Sequence, residues 1–261
     1  MHLLRLIPLL TLALAVTSRA AEPAAPMSAS ELAARLGALR QDGSSYVRLR
    51  LEINGAKKET LQLQIKQRRT KNSTEVVYQV LFPKERKGES VLLRKLGNRP
   101  ATGTIFVPPN TVRPIDDLKG SLLGSDLSYE DVVEDFFGWD QQFLASTEDV
   151  DGVACQILES TPGQAERSTY TRVRTWIDAR RLVPLRIEKY AGQQLLRRID
   201  TTRVVTDAGH PIPANLTVRS PRSGSSSDLD GSRIKHDVPY TDRDFTPEGM
   251  KEVALPRGSS E

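Results

Sequence analysis

Sulfur, imidazole and aromatic rings are scarce in this chain. Cysteine occurs once, at Cys155, histidine three times, and aromatic residues make up 5% of the 261 residues. A lone cysteine excludes an intramolecular disulfide. Cys155 lies in the apolar stretch Val153 to Leu158, with no basic neighbour nearer in sequence than Arg167. It reads as a small buried hydrophobe rather than a nucleophile. His210 and His236 stand apart, one in a Gly-His-Pro turn and one in a late strand. No H-E-x-x-H and no Cys/His cluster occurs, so no metal and no cofactor are expected. The G-x-S-x-G nucleophile elbow is missing as well. An esterase built on Ser125 or Ser128 would need a histidine brought in over long range, and the expectation is a protein that is not an enzyme.

An excess of one charge is also lacking. Without Arg5 and Arg19 the 37 basic residues fall to 35, against 33 acidic ones. That balance argues against nucleic-acid binding, which needs clustered positive charge. The local exception is the basic stretch from Lys84 to Arg99, a solvated edge or a place for a partner or an anionic headgroup. Long apolar runs are confined to the N-terminus. There Arg5 precedes the run Leu6 to Val16, and Ser18 and Ala20 are the small residues that predict a cut before Ala21. The run is short for a bilayer span. Residues 1–20 are read as a secretory signal peptide and 21–29 as a flexible leader. The mature chain is expected to be exported, soluble and without lipidation, since no cysteine follows the signal.

What is present is β-rich. Leu32, Leu36 and Leu39 mark one helix capped by Ser28 or Ser30. Period-two alternation then begins: Val47, Leu49, Leu51 and Ile53 point one way, Asn54-Gly55 signals a turn, and Leu61, Leu63 and Ile65 resume the pattern. About ten or eleven strands follow at short intervals with almost no βαβ rhythm, the last near Arg233–Val238. Residues 220–232 are Ser/Gly-rich and read as a mobile loop, and the tail after Pro247 as frayed. A sheet of that length curls, splits or closes. If it curves, medium-sized aliphatic residues facing inward leave a hollow, although a two-sheet sandwich would show the same pattern.

The clearest interior helix signal is SLLGSDLSYEDVVEDFFGWD, Ser121 to Asp140. Ser128 is the N-cap, Asp131 completes a variant capping box, and Glu130 and Asp131 suit the first turn. Tyr129, Val132, Val133, Phe136 and Phe137 recur at helical spacing, with Glu130, Glu134 and Asp135 directed elsewhere, and Gly138 ends the helix. Two readings fit: ordinary packing on a sheet, or an aromatic lid of residues 128–137 over a cavity.

Four segments in order resemble the LolA-like outer-membrane lipoprotein-sorting proteins. They are Pro83 to Leu93, Gly103 to Ile115, the run Gly120 to Val132, and Trp176 to Tyr190. The residues that carry the likeness are Gly124, Ser125, Asp126, Ser128, Tyr129, Glu130 and Asp131, then Trp176, Asp178, Pro184, Glu188 and Tyr190. The chain departs in having only Arg113 after the double proline and in its Ser/Gly insertion. The resemblance implies a mainly β fold: a curved antiparallel sheet forming an incomplete barrel over residues 30–247, with the N-terminal helix, a central lid helix and a flexible tail at 248–261. It implies an apolar cavity for acyl chains, with Leu49, Leu51, Leu61, Leu63, Ile65, Tyr129, Val132, Val133, Phe136 and Phe137 as lipid-contacting candidates. The function implied is a periplasmic lipid or lipoprotein carrier, monomeric, in transient contact with a membrane and with an inner-membrane lipid exporter. An envelope sensor using the same cavity, or a lipid-processing enzyme, is the alternative.

Overall fold

Ser28 caps the first described helix: it accepts from the Glu31 amide at 3.2 Å while its own amide donates to the Glu31 carboxylate at 3.0 Å. This reciprocal pair satisfies two amides that a helix start would leave bare. The computed structural model describes residues 27–252 apart from 40–42, 71 and 98. The signal peptide, its cleavage site, most of the leader and the tail from 253 onward lie outside the described residues. The capped helix is α1 (Ala29–Leu39). Six strands follow, β1 (Gly43–Asn54), β2 (Lys58–Thr70), β3 (Ser73–Phe82), β4 (Ser90–Leu96), β5 (Thr102–Val107) and β6 (Thr111–Pro114). After a short helix, α2 (Tyr129–Val133), come β7 (Gln141–Val150), β8 (Val153–Thr161), β9 (Arg172–Asp178), β10 (Val183–Ala191), β11 (Gln194–Asp207), β12 (His210–Arg219) and β13 (Ser226–His236).

All thirteen strands form one antiparallel sheet in the order β6-β5-β4-β3-β2-β1-β13-β12-β11-β10-β9-β8-β7. Two meanders, β1 to β6 and β7 to β13, meet along a single seam where β1 pairs with β13, Ser45 opposite His236 and Asn54 opposite Ser226. The outer strands β6 and β7 do not pair with each other, so the sheet stays open. Register shifts at Arg48/Leu49, Gln62/Leu63 and Lys189/Tyr190 mark the bulges that bend it. Two hairpin turns, Asp151-Gly152 and Ala208-Gly209, have both residues at positive φ (50° and 80°, 47° and 82°), the mirror-image turn that matches strand twist.

The inner face carries two apolar clusters. In the first, Leu51, Leu61, Leu63 and Ile65 meet Leu122, Leu123, Leu127 and Val133 from the segment between β6 and β7. In the second, α1 and the aromatic trio Phe136, Phe137 and Trp139 pack on Leu158, Val173 and Ile177. The outer face of β3 to β5 is covered by the C-terminal end of the described chain, where Phe245 and Met250 sit on Val77, Leu92 and Phe106.

Four expectations are corrected. Among the described residues the strands number thirteen rather than ten or eleven: β6 shows no hydrophobic alternation, and β13 starts well before the strand expected near Arg233–Val238. Residues 226–232 belong to β13: hydrogen-bonded neighbours on both sides order a stretch whose composition reads as loop. The chain past Pro247 does not fray at once, but forms α3 (Pro247–Met250), capped by Thr246, with Met250 buried. Gly249 is obligatory there, since a Cβ would lie 2.0 Å from the Arg243 carbonyl oxygen. Finally, the central helix is five residues long, not ten. Glu134 turns extended (ψ 133°), and a 3-10 turn over Phe136–Gly138 follows.

Candidate functional site

The break at Glu134 sends the two halves of the central stretch to different places. Tyr129, Val132 and Val133 join the first inner cluster, and Phe136 and Phe137 join the second, beside α1. Between them stands a buried ionic clasp. Asp131 accepts from the Ser128 amide at 2.7 Å and the Ser128 hydroxyl at 2.8 Å, closing the capping box. Its other oxygen accepts from the Tyr170 hydroxyl at 2.7 Å and from Lys189 Nζ at 2.8 Å. Arg197 approaches to 3.4 Å. Lys189 itself lies 5.0 Å from the Tyr170 ring centre and 5.5 Å from that of Phe136, its charge held against ring faces. Burial pushes the Asp131 carboxyl up, but the Lys189 ammonium and the hydrogen bonds more than reverse this and hold it below the usual range. Burial and then the Asp131 charge push the Tyr170 phenol up, keeping it a neutral donor.

Glu130 is buried too, accepting at 2.7 Å from both the Ser168 hydroxyl and the Thr169 amide, which fastens the connection after β8. Glu134, expected on a polar face, is 5% exposed and accepts from Trp139 Nε1 at 3.0 Å. Burial raises its carboxyl above the ordinary value despite that bond. Glu130, Asp131 and Glu134 are therefore interior fasteners, which corrects the reading of Glu130 and Glu134 as residues directed away from the packed face, while Asp135 is exposed. Lys189, Tyr170 and Arg197 were missed. The only signal in sequence is a lysine placed on the inward phase of β10, next to Ile187.

The strand residues proposed to touch lipid do lie on the inner face, but the chain's own segment sits over most of them. Leu61 is 0% and Leu63 2% exposed beneath Leu122 and its neighbours, and Leu49 is half-buried. The inner face is left uncovered further along the strands. There α1 (Ala38), β1 (Val47), β2 (Gln67), β12 (Ile212, Pro213) and β13 (Ile234) line a groove of about 700 Å³. Its rim is polar, with His236 Nε2 2.7 Å from Asp207 Oδ2. The volume falls within the roughly 300–1,000 Å³ usual for small-molecule sites.

The remaining motif residues are brought elsewhere. Trp176 donates to Glu148 at 2.9 Å on the outer face, flanked by Arg174 and Arg186. Asp178 accepts from the Arg180 amide at 2.9 Å and from the Arg181 side chain at 2.5 Å. The Tyr190 hydroxyl donates to Glu188, and the Pro184 carbonyl accepts from Thr201 at 2.7 Å. These shape the β9–β10 hairpin. Gly124, at φ 91°, and Ser125 and Asp126 form the tight loop before α2, with Ser125 donating to the Leu122 carbonyl at 2.7 Å. Among the described residues no group of three or more His, Cys, Asp or Glu side chains could hold a metal ion. No helix among them is long and apolar enough to cross a membrane.

A family model described only as "Uncharacterized protein" matches residues 72–252, from β3 through α3. The chain belongs to that family. No curated protein matches the sequence. Among solved structures, a DUF1329 family protein from Desulfovibrio piger aligns at 24% identity and TM-score 0.78, covering 85% of this chain and 97% of its own. A domain named for outer membrane lipoprotein sorting, from Vibrio parahaemolyticus, aligns at 18% identity and TM-score 0.76, covering 86% and 98%. A LolA superfamily protein from Nitrosomonas europaea aligns at 19% identity and TM-score 0.69, covering 86% and 100%. The fold is thus the LolA-like incomplete barrel, an open antiparallel sheet with few helices.

Proposed function

We propose that this protein is a periplasmic carrier that shields an acyl chain of a lipid or lipoprotein in the groove between α1 and the β1–β13–β12 part of the sheet. The observation that carries the reading is the groove itself. Its floor of Val47, Ile212, Pro213 and Ile234 is an apolar part of the inner face that the chain leaves open, while Leu122, Leu127, Phe136 and Phe137 cover other parts of that face. Burial of each methylene contributes about 0.8 kcal/mol, so eight to ten carbons supply a micromolar affinity before ordering costs. The signal-like stretch 1–20 supports export, and the lipoprotein-sorting name of a protein with the same fold supports the class of cargo. Fold alone does not fix function. The residues that would contact cargo are Val47, Ile212, Pro213 and Ile234.

The test is native mass spectrometry of protein purified from the periplasm, followed by titration of the emptied protein with a fluorescent fatty acid. An acylated ligand that co-purifies, and saturable binding displaced by palmitate, are expected. Loss of probe binding at tens of micromolar would overturn the reading.

A further inference from the structure

A second cavity lies at the opposite end of the same strands. The β1–β2 turn (residues 55–57), the β12–β13 connection (220–225) and the loop Ser121 to Asp126 enclose about 710 Å³. A smaller pocket of about 190 Å³ adjoins it, sharing Arg197 and Arg222 and adding Lys119 and Tyr170. Lys57, Lys119, Arg197 and Arg222 face the two spaces, against two carboxylates, Asp126 and Glu130.

Both carboxylates are already engaged by the protein. Asp126 accepts from the Ser225 hydroxyl at 2.5 Å and the Ser227 hydroxyl at 2.8 Å, while Ser168 and Thr169 take Glu130. The cations are satisfied less fully. Arg197 Nη1 donates to Ser220 at 2.6 Å and to the Leu196 carbonyl at 3.1 Å, and its buried Nε, ion-paired with Asp131 at 3.4 Å, makes no hydrogen bond. Arg222 is exposed at the rim, donating to the carboxamide of Gln194, and Lys57 is exposed on the facing turn. Positive charge thus converges from three separate segments on a space rich in serine hydroxyls.

We propose that this double pocket binds an oxyanion of the phosphate class. Several cations arriving from different directions suit a tetrahedral dianion, and guanidinium groups donate to phosphate oxygens in pairs. The larger space exceeds what a bare ion fills, so there is room for what the phosphate is attached to. The smaller one, with Tyr170 and Leu196 in its wall, takes an uncharged part of the same molecule. The site is independent of the acyl groove, and so is its first probe.

The experiment is isothermal titration calorimetry at low ionic strength with three ligands: orthophosphate, dihexanoyl phosphatidic acid and dihexanoylglycerol. The variant Lys57→Gln/Arg222→Gln removes two exposed cations from the pocket, and Arg50→Gln/Arg203→Gln removes the same charge from the outer face. Binding of orthophosphate that falls at least about tenfold, or ~1.4 kcal/mol, in the first variant and not in the second assigns a site for free oxyanions. The same loss for phosphatidic acid, with orthophosphate silent and dihexanoylglycerol insensitive, assigns a site for a phosphorylated headgroup. If both charge variants lose equally, or neither loses, the proposal is overturned.

Discussion

Lys189 Nζ lies 2.8 Å from Asp131 Oδ1, and neither side chain is more than 1% exposed. Burying two charges is tolerable only when each is fully met, and here hydroxyls, an amide and a second cation complete the set. Removing one partner strands the other. Lys189→Met and Asp131→Asn should each destabilise by about 3–5 kcal/mol, and the double variant Asp131→Leu/Lys189→Met by less than the sum. Urea unfolding followed by circular dichroism measures this, and single-variant losses under about 1 kcal/mol would show the pair to be incidental. Acid acts on the same clasp. The folded carboxyl of Asp131 titrates below its unfolded value of about 3.9, so its contribution is present above that pH and is lost as pH falls through the folded value.

Glu134 behaves in the opposite sense. Burial raises its folded value above the unfolded one, about 4.3, so the stability it allows below that pH is lost as pH rises through the folded value. Glu134→Gln keeps an acceptor for Trp139 and removes the charge. The variant should melt higher than the parent at pH 7, and the gain should shrink toward pH 4. A variant that melts lower at pH 7 than at pH 4, relative to the parent, contradicts this.

Binding and folding should separate by position. Val47→Asp and Ile234→Asp place a charge in the open groove and should weaken a fluorescent fatty acid at least about tenfold, or ~1.4 kcal/mol, with the far-ultraviolet spectrum intact. Phe136→Asp acts on the closed cluster under α1 and should cost about 3 kcal/mol or more in stability. Equal probe binding by the groove variants would move the acyl site elsewhere.

Cys155 should resist alkylation in the native protein. It is 1% exposed, and burial followed by the charge of Asp178 pushes its thiol up, away from the reactive thiolate. Cys155→Ser should cost about 1–3 kcal/mol and leave ligand binding unchanged. Labelling by iodoacetamide faster than global unfolding would contradict the assignment.

The strands were legible where one face is apolar and the other charged. Val47, Leu49, Leu51 and Ile53 against Arg48, Arg50 and Glu52 leave only one way to lay β1 on a core. The capping box was equally plain, because Ser128 and Asp131 are three residues apart. The clasp was not. A buried carboxylate and a surface carboxylate look alike in sequence, and the groups that justify burying Asp131 arrive from Tyr170, Lys189 and Arg197, on elements far along the chain. The length of the central helix was misread because Phe136 and Phe137 keep the helical phase by chance while the backbone turns at Glu134. The inward phase of β1 could be read, and with it the face on which a cavity would lie. Its extent could not, because whether Leu61 meets a guest or Leu122 is decided by a loop with no periodicity of its own.

The seam between β1 and β13 joins the first described strand to the last described one. Until residue 236 has been made, the two meanders are separate half-sheets, each with a bare central edge. Unpaired edges recruit strands from other chains, and pairings this distant in sequence form slowly. A premature stop within β13 would therefore remove far more than a terminal appendage. It would release two sticky halves, because both half-sheets depend on this one strand for their central partner.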